Sequence, residues 1–255
     1  MQVKDSVQRQ FGAVAERYAA SFTHSQGPDL DRLVAWARAA APATVLDAGC
    51  GTGHTALALA AAGIRTTALD LTAEMLAQGR RLADERGLDV RFEQGDVEDL
   101  PWADGRFDAL ASRLAAHHFP DPARAVREFL RVVRPGGRIW LSDVVSFDDP
   151  TADTFLQAIE LLRDPSHVRD HRIDEWEEMF RSAGGTPRRV ETWPLFQRFD
   201  PWVERMRTPA PEVAVLERLF DAAPAEARDA LRLGAAPERG FTLTVALIEV
   251  RKGGA

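Results

Sequence analysis

The sequence predicts an α/β fold, a mostly parallel sheet with helices on both faces. Three observations point to it. Short β-branched or apolar runs alternate with helix-forming runs between Thr44 and Val144, the pattern of strand–helix–strand crossovers. The first strand enters its helix through three glycines at alternate positions, Gly49, Gly51 and Gly53. The length, 255 residues, suits one such domain with a modest insertion and would cramp two large domains.

Thr44–Leu46 reads as a buried parallel strand and Thr55–Ala62 as a helix closed by Gly63. The glycines between them tolerate positive φ and let a flat or charged ligand lie on bare backbone facing the helix N-terminus. A dinucleotide fingerprint needs G-x-G-x-x-G, but here the third glycine position is His54. Asp47, just ahead of the loop, is a poor neighbour for a pyrophosphate and suits an ammonium or sulfonium group. With these residues in view, LDAGCGTG resembles the first motif of class I S-adenosylmethionine (SAM) methyltransferases. The resemblance implies SAM as cofactor, S-adenosylhomocysteine (SAH) as product, and Asp47, Gly49, Gly51 and Gly53 as cofactor-binding residues.

Ahead of the loop, Val7, Phe11, Val14 and Tyr18 recur at helical spacing, as in an amphipathic helix covering a sheet. The stretch FGAVAERYAASFTHSQGPDLDRLVAWA resembles the N-terminus of the ubiquinone/menaquinone-biosynthesis (UbiE-like) group. That implies an arm packed across the SAM site, with Tyr18 against the cofactor and His24 near the acceptor. The alternative for His24 is a surface loop.

Arg65–Leu69 forms a second strand ending at Asp70, nearly the ~20 residues after Gly51 at which a ribose-binding carboxylate is expected. Thr72 supplies a capping hydroxyl for a helix over residues 73–86. Leu71 and Met75 then offer apolar surface to an adenosine, unless Met75 is plain core. Asp89–Glu93 is a third strand. By resemblance, Asp96 accepts from the adenine amino group and Val97 flanks the ring; the plainer reading of Asp96 is a turn acid beside glycine.

Phe107–Ser112 is the fourth strand. It runs into Arg113, assigned to the cofactor, and then His117 and His118, at the sheet end where ligands of open α/β sheets bind. Adjacent side chains diverge, so one histidine can face the reacting centre as a base while the other packs away. Both structural is the plainer reading. A helix over Ala123–Val133, a Pro-Gly-Gly turn and a strand over Arg138–Val144 follow, and EFLRVVRPGGRIWLSDV again matches the methyltransferase family.

Further on, Thr154–Leu162 and Ile173–Ala183 read as helices. Between them RDPSH resembles the UbiE-like group, and His167 is a candidate for the acceptor pocket; Asp164 and Ser166 otherwise cap the turn. Pro187–Leu195 and Phe241–Val250 read as strands, which brings the count to seven. In the family these two form a tight antiparallel hairpin. Here helical stretches near 199–207 and 211–232 intervene, as a substrate cap whose Phe196, Phe199, Trp202 and Met206 face an apolar acceptor or form the insertion's own core.

The expectation is therefore a Rossmann-like seven-stranded sheet with the last strand antiparallel. Its parts are a lid over residues 1–40, a SAM-binding core over 41–195, a cap over 196–238 and a last strand with tail over 239–255. The net charge of −7 provides no basic field for nucleic acid. A single cysteine, Cys50, allows no internal disulfide and fits a reducing compartment; inside the glycine loop it reads as a space-filler. With no signal peptide or membrane span, a cytoplasmic location is expected, as a monomer or homodimer. The predicted activity is methyl transfer to a small-molecule acceptor by alignment, with histidine-assisted deprotonation where the acceptor must lose a proton, and no metal. Three other readings stay open: an NAD-dependent oxidoreductase, disfavoured by Asp47 and His54; a non-catalytic SAM-binding protein; and a SAM-using enzyme of the same fold that transfers no methyl.

Overall fold

Val45 to Ala48 are fully enclosed, so strand β1 (Thr44–Ala48) needs cover on both faces of the sheet. The structure, a computed structural model, describes residues 3–19, 25–234 and 239–254, and it supplies that cover with helices on either side. Strands β2 (Arg65–Asp70), β3 (Val90–Gln94), β4 (Phe107–Arg113), β5 (Val133–Val145), β6 (Gly185–Arg198) and β7 (Gly240–Lys252) complete a seven-stranded sheet ordered β3-β2-β1-β4-β5-β7-β6. The first five are parallel, and β7 runs antiparallel between β5 and β6. The order reverses between β1 and β4, and a crevice beyond the carboxyl ends of these strands is where such sheets bind ligands.

Helices α1 (Val3–Ala19), α2 (Pro28–Ala40), α3 (His54–Ala61) and α4 (Ala73–Arg86) occupy the first half. In the second half lie α5 (Pro122–Val132), α6 (Pro150–Arg163), α7 (Ile173–Ser182), α8 (Phe199–Met206), α9 (Ala210–Asp221) and α10 (Ala225–Leu231). Asp121 and Asp149 cap α5 and α6 with side-chain carboxylates, and a proline follows each cap where no N–H is needed. One sheet face packs Leu46, Leu110 and Ile139 against Phe129, Trp176 and Phe180; the other packs Val45, Trp140 and Leu247 against Leu33, Trp36 and Leu59. Among the described residues no helix is long and apolar enough to cross a membrane.

Three local expectations change. The β6–β7 pairing runs from Gly185 with Lys252 to Arg198 with Gly240, with a register shift between Pro187 and Arg189, so the helical insertion begins at Phe199 rather than 196. Pro187 and Pro194 obscured this; they are tolerated because β6 is the edge of the sheet. The long helix expected over 211–232 is two, broken where Pro224 cannot continue a helix. Thr72 stands at the N-cap of α4, but its side chain makes no cap bond; the Thr72 N–H donates instead to Asp70 Oδ1 at 2.9 Å.

Candidate active site

The glycine loop is tied down from the neighbouring strand. The Gly49 and Cys50 amides donate to the Leu69 carbonyl at 2.8 and 2.9 Å, and the Gly51 amide donates to Asp70 Oδ2 at 2.7 Å. Gly49 and Gly51 have φ of +71° and +54°. A Cβ on Gly49 would come within 2.9 Å of Ala115, whereas one on Gly51 would meet only the Met75 methyl at 3.4 Å and otherwise enter open space. That space is a cavity of about 110 Å³. Its floor holds Gly49, Cys50 and Gly51; Asp70, Leu71 and Met75 form one side, and Asp96 and Val97 another. Helix α1 roofs it with Val7, Phe11 and Tyr18.

Not every residue assigned to the cofactor reaches this wall. Asp47 is buried beneath the loop, where Oδ2 accepts from the Ala56 amide of α3 at 2.9 Å and Oδ1 has no partner. Burial raises its carboxyl to about 7. Gly53 packs on Phe92 and is absent from the wall; a Cβ there would lie 2.8 Å from the Phe92 ring. Asp96 does line the cavity but pairs with Lys4 of α1 at 2.6 Å, and Lys4 also reaches Glu98. Arg113 lines it too, with its buried guanidinium clamped by Asp29. Cys50 sits in the wall as a neutral thiol, because burial pushes its pKa well above the ordinary value. His24 lies outside the described residues.

A second cavity, of about 60 Å³, adjoins the first, and Phe11, Tyr18, Leu114 and His118 line both. Leu114 has φ of +51°, and unlike the other non-glycine residues with positive φ it caps no helix. Its amide donates to the Ser142 carbonyl at 2.8 Å. Such strain persists only where surrounding structure enforces it. It turns the chain so that both histidines lie in a 3₁₀ turn, Ala116–His118, at the junction of the cavities.

The two imidazoles differ in their partners. Nδ1 of His117 donates to Asp143 Oδ1 at 2.7 Å, and the adjacent carboxylate raises its pKa to about 9 against the cost of burial. His117 is therefore an imidazolium at neutral pH. Nδ1 of His118 lies 3.0 Å from the Ser166 carbonyl, which can only accept, so that nitrogen carries the proton and Nε2 keeps its lone pair. Burial and the neighbouring imidazolium push His118 down to about 4. Phe11 meets the His118 ring edge-on at 4.8 Å. The Arg-Asp-Pro-Ser-His segment supports this turn: Asp164 Oδ1 accepts from the Ser166 amide and hydroxyl at 2.9 and 2.6 Å, the capping role its sequence allowed. The Val168 amide donates to the His117 carbonyl at 2.8 Å. His167 itself lines neither cavity. It is buried behind His117, with Nε2 3.1 Å from Gln157 Oε1.

His117, Asp143 and Asp170 offer ligand atoms within 4.8 Å of one another, a spacing compatible with a metal ion. Asp143, however, already accepts from the Ala116 amide (2.6 Å), the Val144 amide (2.8 Å), the His117 amide (3.1 Å) and the His117 ring. Those four bonds fill its lone-pair positions, so the cluster is built as an ion pair. Asp143, Leu114 and Lys4 carry no motif that sequence reasoning could have weighed; Asp143 lies inside the matched string but shows its role only through the turn it braces.

The model of a methyltransferase domain matches residues 46–141, from β1 into β5. YcgJ of Bacillus subtilis, named as an uncharacterized methyltransferase, is 38% identical over 220 residues, covering 86% of this chain and 87% of its own length. The chain belongs to the class I SAM-dependent methyltransferases. The crystal structure of YcgJ superimposes on this methyltransferase with a TM-score of 0.85 at 36% identity, covering 89% of this chain and 99% of YcgJ. A demethylmenaquinone methyltransferase of Thermus thermophilus is 38% identical over 151 residues, 57% of this chain and 67% of that one, in keeping with the UbiE-like resemblance. The methyltransferase is thus an enzyme whose cofactor is SAM.

Proposed function

We propose that this methyltransferase binds SAM in the cavity over the glycine loop and methylates a small molecule held in the second cavity. The observation that carries the reading is the shared wall: Phe11, Tyr18, Leu114 and His118 border both spaces, so two ligands would meet there. The walls suit the cofactor's chemistry. Asp70 spends one acceptor site per oxygen on Gly51 and Thr72, leaving one on each for the ribose hydroxyls. Leu71, Met75 and Val97 offer apolar surface to the adenine, and Asp96 an acceptor for its amine. Asp47, with Oδ1 unpartnered and its carboxyl raised to about 7, lies beneath the loop, where a cationic ligand above it would favour its ionised form.

When bound, SAM supplies a methyl group already activated by its sulfonium. The protein's task is alignment and exclusion of water, worth up to ~7–11 kcal/mol in well-oriented systems. His118 takes the acceptor's proton on Nε2, and the imidazolium of His117 favours the acceptor's deprotonated form. Helix α1 acts as lid and helices α8 to α10 as cap, over a core spanning roughly residues 41–195. The two already meet: Tyr18 Oη donates to Met206 Sδ at 3.1 Å, and Gln10 Nε2 donates to the Met206 carbonyl at 2.9 Å. Phe199 and Met206 belong to buried packing, Trp202 reaches the second cavity, and Phe196 is 64% exposed.

A screen of small acceptors with isotope-labelled SAM, read by mass, tests the transfer; SAM binding without any labelled product would count against it. Asp70→Ala is expected to weaken SAH binding by ~1.5–3 kcal/mol, the range for hydrogen bonds to a charged group. Calorimetry showing unchanged affinity in the folded variant removes Asp70 from the site. Hydrogen exchange should slow in α1, around Val7 to Tyr18, when SAH is added, because the lid's inner face lines the cavity. Equal exchange with and without SAH argues against a lid.

A further inference from the structure

We propose that the acceptor of this methyltransferase carries an oxyanion, a carboxylate or a phosphate, that pairs with Arg205 in the second cavity. The inference rests on that cavity being the acceptor's. Arg205 lies in the last turn of α8, and its side chain lines the cavity beside Arg163. The two guanidiniums are not equally satisfied. Arg163 pairs with Glu160 at 3.1 Å, donates from Nε to the Trp202 carbonyl at 3.0 Å and lies over the Trp202 ring at 5.1 Å. Arg205 has one neutral partner, Gln197 Oε1 at 3.0 Å, and its Nε is buried without an acceptor. Among the described residues it forms no ion pair.

A desolvated guanidinium is costly unless an anion meets it, and a carboxylate or phosphate matches its planar fork. The other groups facing this space do not meet it. Glu160 is engaged by Arg163, and the charge of His117 is balanced by Asp143. Asp170 lies against His117 and Asp143, and burial pushes its carboxyl well above the usual range. Two arginines thus face the cavity, and of the two only Arg163 is paired with a carboxylate. Leu114, Val144, Leu195 and Leu243 add aliphatic lining beside the rings of Phe11 and Trp202. The acceptor so described has an apolar body, an anionic end at Arg205 and its nucleophilic atom at His118.

The test separates anion binding from transfer. Acetate and inorganic phosphate are titrated at constant ionic strength into SAH-saturated protein, with binding followed by thermal stability and NMR. At least one should bind the wild type more tightly than chloride does. Arg205→Gln should weaken that binding roughly tenfold or more, the loss of a charge-assisted hydrogen bond, while Arg205→Lys retains part of it. The acetate arm supports a carboxylate acceptor and the phosphate arm a phosphorylated one. Equal anion affinity in wild type and Arg205→Gln, or no response beyond chloride in the wild type, overturns the proposal. A second measurement needs no variant: matched acids and amides are offered to the wild type with labelled SAM, and methylation should fall on the acids. Methylation of the amides as readily as the acids also overturns it. Anion binding lost with Arg205→Gln, but without transfer to any panel member, upholds the anion site and counts against the transfer reading instead.

Discussion

His118→Ala, assayed at saturating SAM with a true acceptor, is expected to lower turnover by ~10²–10⁴-fold, the usual contribution of a positioned base. Cofactor affinity should hold, because the ring borders the SAM cavity only at its junction with the second one. The tautomer supports the role: with Nδ1 committed to Ser166, Nε2 keeps its lone pair, 3.9 Å from Asp164 Oδ2. The pH profile is a further check. His118 is held down to about 4 and is surrounded by His117, Asp143 and Asp164, with Phe11 on its edge. The acid limb of the rate should therefore fall well below pH 6.5, the range of an ordinary histidine. His117 keeps its proton up to about 9, so the rate should fall again as pH rises through that value.

Stability follows the same two groups with opposite signs. The folded state binds fewer protons at His118 than the unfolded chain between about pH 4 and 6.5, so stability rises with pH there. It binds more at His117 between about 6.5 and 9, so that contribution is lost as pH climbs through this window. An acid limb near 6.5, or full turnover by both His118→Ala and His117→Ala, would make the pair structural and leave alignment alone to drive transfer.

Gly51→Val is expected to abolish measurable SAH binding. The added Cβ points into the cavity, where only the Met75 methyl stands at 3.4 Å, so the valine occupies the ligand's place. A β-branched residue at φ of +54° adds strain of ~1–3 kcal/mol, and every ~1.4 kcal/mol is a tenfold change in an equilibrium constant. The loop's anchors, Leu69 and Asp70, are untouched, and the remaining core does not involve Gly51, so the variant should still fold. Calorimetry with SAH, alongside thermal unfolding, reads both effects. A folded Gly51→Val protein that binds SAH with wild-type affinity would place the cofactor elsewhere. Cys50→Ala is the matched control: its neutral thiol fills space, and binding should survive.

The sheet and the glycine loop were legible in the sequence because both depend on local patterns. Val45 to Ala48 had to be buried on both faces, and alternate glycines had to turn a strand into a helix. Asp70 was readable from its distance along the chain, since the carboxyl end of β2 lies beside the loop in any sheet of this order. The second cavity was not readable in the same way. Its walls come from α1, the histidine turn, α6, the β6–β7 hairpin and α8, segments far apart in sequence. Which histidine carries a proton was decided by a carboxylate 26 residues away and a carbonyl 48 residues away. The same folding carried His167 behind His117 and Asp47 beneath the loop, because a polar side chain's solvent access depends on what packs over it. Arg205 is one of many arginines in the chain, and only tertiary packing left its Nε buried without an acceptor while Arg163 beside it was paired.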